Sequence, residues 1–185
     1  MEVVIYLLCM KILAPEHVTL LRGNHEVRDM QKEFTFTREL QIRFGRDGAE
    51  AAFKMFNTVF DVMPLAAVID EQIFCCHGGV PSMTSSLEQI AALPNVLKDP
   101  GRIDLANELL WNDPITDHEY EELLTHTPAF NQGNSVGHLP EGFLPNTKRN
   151  SGCLFSESAL KRFLTHNGMS HFIRGHECVP SKCWL

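Results

Sequence analysis

The stretch that decides the fold is "VTLLRGNHEVRD", residues 18–29. Apolar and β-prone residues at 18–21 run straight into Arg22, Gly23, Asn24, His25 and Glu26. A short apolar run that stops in a polar cluster predicts a buried, parallel-type strand with a chemically equipped tip. The same design recurs twice. "IFCC" (73–76) ends in His77-Gly78-Gly79, and "HFI" (171–173) ends in Arg174-Gly175-His176. Each cluster sets His near Gly, which permits tight turns and close backbone approach to a ligand. Imidazole nitrogen and carboxamide oxygen together form a donor set suited to Mn, Fe or Zn. For His17, His118, His126, His138 and His166 an ordinary surface or hydrogen-bonded role is the better reading. Arg22 and Arg174 could equally pair with neighbouring carboxylates. Three clusters at three strand ends nevertheless point to a metal or phosphate site.

Working outward, residues 3–11 predict a buried helix closed by the turn at Pro15. The opening segment lacks a basic start, carries Glu2 and is interrupted by Lys11, so neither a signal peptide nor a membrane span is expected. Residues 28–44 and 48–60 predict helices, the second from the spacing of Phe53, Phe56, Val59 and Phe60. Residues 65–70 and 73–77 predict a hairpin about Glu71-Gln72. A serine-capped helix is expected over 85–93, a loop over 94–104 and a helical turn over 105–111. The prolines at 114, 128, 140 and 145 make 112–150 read as a long surface excursion. Residues 156–167 predict an amphipathic helix stopped by Gly168. Helices alternating with strands that end in polar clusters predict an α/β layered domain, with its ligand site at the strand ends.

The 185 residues are 44% hydrophobic and 21% charged, enough for one domain with a core. A net charge of −7 gives no electrostatic support for a nucleic-acid partner, and no membrane association is expected. Phosphate must then be handled by local cations or metals. Six cysteines without a C-x-x-C pair predict free thiols in a reducing compartment, cytoplasmic or nuclear. His176, Cys178 and Cys183 supply only one end of a zinc ligand set.

The wording of the clusters adds a resemblance. "LLRGNHE" (20–26), "AAVIDEQIFCCHGGVPS" (66–82), "LLWNDP" (109–114) and "FIRGHE" (172–177) resemble, in order, motifs of the PPP family of serine/threonine protein phosphatases, the type 1, type 2A and calcineurin group. The resemblance covers almost the whole chain and weakens over about 115–148, which reads as an insertion-like loop within a single domain, 1–185. It implies a metallophosphoesterase-type layered α/β/β/α sandwich. It implies metal-dependent hydrolysis of phosphoserine and phosphothreonine in proteins by a metal-activated water, with no phosphoenzyme. By position, Asn24, His77 and His176 match ligands of one of the family's two divalent metal ions (Mn, Fe or Zn), and His25 matches the general acid. Arg149 matches a phosphate-binding arginine, and Arg22 is expected to brace the site. The implied partners are a phosphoprotein substrate and regulatory subunits. A small-molecule metallophosphoesterase fits the long forms of the motifs less well.

Two motifs of that family, GD-x-H-G and GD-x-x-D-R-G, do not occur, and no Gly-Asp pair exists anywhere in the sequence. They carry the ligands of the other metal, the bridging aspartate, the carboxylate that orients the acid histidine and a second phosphate-binding arginine. The expectation is therefore of a domain truncated at both ends, without its N-terminal and C-terminal strands and with ligands for one metal only. The alternative function is a catalytically inactive fragment acting as a binding or regulatory protein.

Overall fold

The computed structural model describes residues 1–126 and 139–177. Two three-stranded sheets form the frame. In the first, β1 (Ala66–Ile69) pairs antiparallel with β2 (Ile73–Cys76), and β2 pairs parallel with β6 (His171–Arg174). In the second, β5 (Cys153–Ser156) lies between β3 (Asp113–Ile115), to which it is parallel, and β4 (Phe143–Pro145), to which it is antiparallel. The expected mixed α/β architecture is present.

The core lies where the sheets meet α5 (Asp104–Trp111) and α7 (Glu157–His166). Phe74 of β2 packs on Phe163 of α7 with ring centroids 4.9 Å apart, and Phe155 of β5 meets Phe172 of β6 at 6.1 Å. Leu109, Leu110 and Val80 are fully buried among them. Ser156 caps α7 by accepting a hydrogen bond from the Ala159 amide at 3.2 Å, and Gly168 ends that region in the left-handed conformation (φ 66°).

The hairpin forms one residue earlier than expected. Asp70 and Glu71 are its central residues, both left-handed, and the Gln72 amide closes the turn on the Ile69 carbonyl. Positive φ at both positions matches the right-handed twist of the flanking strands.

Four expectations need correction. Residues 18–21 form no strand: the segment pairs with no ladder, and the next residue is tied by the Arg22 amide to the Pro64 carbonyl at 2.9 Å. The first helix, α1 (Glu2–Leu13), buries none of its residues, and Val3, Tyr6, Ile12 and Leu13 are strongly exposed. It is held at one end, where the Met1 ammonium and Glu2 meet Glu39 and Arg43. The helix expected over 28–44 is broken into α2 (Arg28–Glu33) and the start of α3 (Phe36–Phe60), which kinks at Gly45 (φ 68°). The excursion over 112–150 contains β3, the helix α6 (Asp117–His126) and β4, whose Phe143 and Leu144 are buried. Short helix α4 (Leu87–Ala91) occupies part of the 85–93 segment. Residues 127–138 of the insertion-like region and the cysteines at 178 and 183 lie outside the described residues, as does that part of the zinc alternative.

Candidate metal centre

Three chain segments converge beyond the ends of the parallel pair β2–β6. The Cys76–Arg174 register puts His77 and His176 just past the paired residues, with their rings 5.1 Å apart. The third segment is a single 3₁₀ turn, Asn24–Glu26, placed against them by a buried arginine. Arg22 has no exposed surface: its guanidinium donates to the Glu26 carbonyl through Nε (3.0 Å) and a terminal nitrogen (2.9 Å), reaches the Leu97 carbonyl, and lies 3.7 Å from Asp61. Arg22 therefore braces the turn and does not face a ligand. The Glu26 carboxylate closes the turn by accepting from the Gly23 amide at 2.9 Å.

The carboxamide of Asn24, 4% exposed, sits between the two imidazoles. His77 donates from Nε2 to its oxygen at 2.9 Å, and its nitrogen donates to Nε2 of His176 at 3.1 Å. Behind His176 stands Asp113, which accepts from Nδ1 at 2.8 Å. The Trp111 ring meets His176 edge-on at 5.6 Å. Burial, with the neighbouring His176, Arg174 and His25 side chains disfavouring a further positive charge, pushes the His77 imidazole down to about 4.

Asp113 was not foreseen as a site residue, although it lies inside the "LLWNDP" motif. Its Oδ1 accepts from His176 and from Arg174 (2.8 Å), and its Oδ2 accepts from Arg149 Nε and Asn146 (both 2.9 Å). Burial alone would raise its carboxyl. The hydrogen bonds from His176 and Arg149, the electrostatic attraction of the His176 ring and the bond from Asn146 outweigh that and hold it well below the usual carboxylate range. Arg174 also donates to the Gly78 and Asn112 carbonyls, tying the first sheet to the α5–β3 junction.

The glycines serve packing more than ligand approach. A Cβ on Gly78 would stand 2.6 Å from the backbone of Leu110 and Trp111, and one on Gly79 would strike the Phe155 ring at 2.1 Å. His77 can stand beside His176 because the chain after it passes this close to α5.

By chemical type, imidazole nitrogens and a carboxamide oxygen are donors that a divalent cation accepts. His176 presents an unprotonated Nε2 while a carboxylate holds its other nitrogen, which is how ligating histidines are oriented. His77 Nε2 and the Asn24 carboxamide oxygen are joined to each other by a hydrogen bond, and both would have to give it up to serve a cation as N and O donors. Among the described residues, no three His, Cys, Asp or Glu side chains are grouped so as to hold a metal ion by themselves. His25, one residue on, is exposed and lies against Phe34 with ring centroids 4.7 Å apart. Arg149 is joined to the centre through Asp113.

The profile of the calcineurin-like phosphoesterases matches residues 2–180. The chain belongs to that family. Within it, the chain is 32% identical over 176 residues to a protein phosphatase 2A catalytic subunit of Dictyostelium discoideum, covering 95% of this chain and 48% of the relative. It is 34% identical over 186 residues to a serine/threonine-protein phosphatase 2B catalytic subunit of Saccharomyces cerevisiae, covering 95% and 30%. A solved protein serine/threonine phosphatase from Saccharomyces cerevisiae, described as similar to human phosphatase PP5, superposes with a TM-score of 0.74 at 28% identity, over 96% of this chain and 47% of that one. This calcineurin-like phosphoesterase thus spans less than half the length of these relatives, and its resemblance to PPP phosphatases is borne out.

Proposed function

We propose that the chain carries part of the catalytic centre of a protein serine/threonine phosphatase, hydrolysing phosphoserine and phosphothreonine with help from divalent metal. The observation that supports this most strongly is the meeting of Asn24, His77 and His176 within hydrogen-bond distance, with Asp113 behind His176. In this reading those three side chains hold a cation and Asp113 fixes the tautomer of His176. When bound, divalent metal supplies Lewis acidity toward phosphoryl oxygens and lowers the pKa of water.

The protein's own groups do the rest. Arg149 keeps terminal guanidinium nitrogens to offer a phosphate while Asp113 holds its Nε, and a planar fork suits that anion. His25, exposed at the edge of the cluster, donates a proton to the departing serine or threonine oxygen. Regulatory subunits join the proposal through the relatives' names as catalytic subunits.

The test is Mn²⁺-dependent hydrolysis of a phosphothreonine peptide and of para-nitrophenyl phosphate. His25→Asn is expected to slow peptide turnover by about 10²–10⁴-fold, and His77→Ala to abolish Mn²⁺-dependent turnover. No Mn²⁺-dependent turnover in the unaltered chain, or turnover that survives both substitutions, overturns the proposal.

A further inference from the structure

Beside the metal centre lies a group of cations that phosphate binding alone does not employ. Lys148 and Arg149 follow β4 on a turn fixed by a hydrogen bond from the Arg149 amide to Asn146 Oδ1 at 3.2 Å. Both reach toward one carboxylate, Glu177. Lys148 Nζ lies 3.0 Å from Glu177 Oε1, an Arg149 terminal nitrogen lies 3.8 Å from the same oxygen, and Arg174 NH1 lies 4.0 Å from Oε2. Only the lysine contact has hydrogen-bond length. The Lys148 side chain is 74% exposed and that of Glu177 is 25% exposed, whereas Asp113 is 4% exposed and fully engaged.

These residues therefore divide into a fixed and an exchangeable part. Asp113 is nearly buried and receives four donors, while Glu177 is partly exposed and has one contact of hydrogen-bond length, to the exposed Lys148. The two cations also differ in kind. Arginine offers a planar fork matched to phosphate, and lysine offers a compact charge on a flexible stem that accepts many carboxylate positions.

We infer that Lys148 recognises an acidic side chain flanking the phosphorylated residue of the substrate, and that Glu177 fills this place in the free protein. The inference rests on the phosphatase reading and deepens it by naming a substrate class: phosphopeptides with Asp or Glu beside the phosphoserine or phosphothreonine. Because Lys148 is exposed, the preference is modest, about two- to fivefold, and weakens as salt screens it.

The experiment is calorimetric titration of the intact chain in Mn²⁺ with inorganic phosphate and with two non-hydrolysable phosphonate peptides. The peptides differ only in carrying Asp or Ala on either side of the phosphothreonine mimic. The unaltered chain is expected to favour the Asp peptide about two- to fivefold. Lys148→Ala brings the ratio close to one, and Lys148→Arg keeps it. Glu177→Gln tightens binding of phosphate and of both peptides. Lys54→Ala removes the same charge from an exposed pair with Glu50 on α3 and leaves the ratio in place. A preference that survives Lys148→Ala, one that Lys54→Ala removes equally, or weaker phosphate binding in Glu177→Gln overturns the inference. Failure of the unaltered chain to bind inorganic phosphate overturns the phosphatase reading and this inference with it. That result is distinct from a lost preference in a chain that still binds phosphate.

Discussion

Replacing Asp113 tests the construction of the site more directly than replacing any of the metal donors. Its side chain is 4% exposed and receives hydrogen bonds from His176, Arg174, Arg149 and Asn146. In Asp113→Ala the side chain of His176 (2% exposed) loses the acceptor of its Nδ1 and that of Arg174 (12% exposed) loses its buried carboxylate partner. Removing one member of a buried charged pair costs about 3–5 kcal/mol. For a chain of this size each kcal/mol moves the melting point by about 2–4 °C, so a drop of about 6–20 °C is expected. Asp113→Asn keeps the shape and one acceptor oxygen, and so loses less. Asp113→Ala frees the His176 ring to rotate and Asp113→Asn removes the charge behind it, and losing such a carboxylate brace weakens metal binding by about 10–100-fold. Scanning calorimetry reads the first effect and Mn²⁺ titration the second. If both variants melt within about 2 °C of the parent and bind Mn²⁺ equally well, Asp113 is not the hub described above.

Other expectations follow from the same geometry. Gly78→Ala pushes a methyl group into the backbone of Leu110 and Trp111, where nothing flexible can yield, so urea denaturation is expected to show a loss of about 1–3 kcal/mol. Ser156→Ala removes the acceptor for the Ala159 amide and is expected to cost about 1 kcal/mol in the same measurement. Burial, with the Glu108 carboxylate beside it, pushes the Cys153 thiol up to about 12, and burial raises Cys75 and Cys76 as well. Brief alkylation of the native chain at pH 8, read by mass spectrometry, is therefore expected to modify the exposed Cys9 while sparing Cys75, Cys76 and Cys153.

The sequence exposed the parts of the site whose chemistry is local. Asn24, His77 and His176 each follow an apolar segment and sit beside glycine, so both type and spacing marked them. Asp113 escaped because its importance comes from partners far along the chain: Arg149, Arg174 and His176 meet it only after β3, β5 and β6 have assembled. Residues 18–21 show a different limit. Their composition suits a strand, yet a strand exists only where a neighbour supplies a ladder, and no periodicity records that. The apolar run of α1 was legible as a helix but not as an exposed one, because burial belongs to the surroundings of a helix. In 112–150 the scattered prolines concealed α6 and β4, whose Phe143 and Leu144 join the buried set.

The parallel pairing of β2 with β6 also governs when the site can exist. His77 and His176 owe their proximity to a register in which Cys76 meets Arg174, and these strands come from distant parts of the chain. Such pairings bear a large loop-closure entropy and form late in folding. The turn holding Asn24 can close locally, but the imidazoles cannot face each other until that seam zips. A slip of one residue would turn each side chain of β6 to the opposite face. The distance between the two imidazoles therefore reports on this seam: a perturbation that loosens β6 separates His77 from His176 even where the helices stay in place.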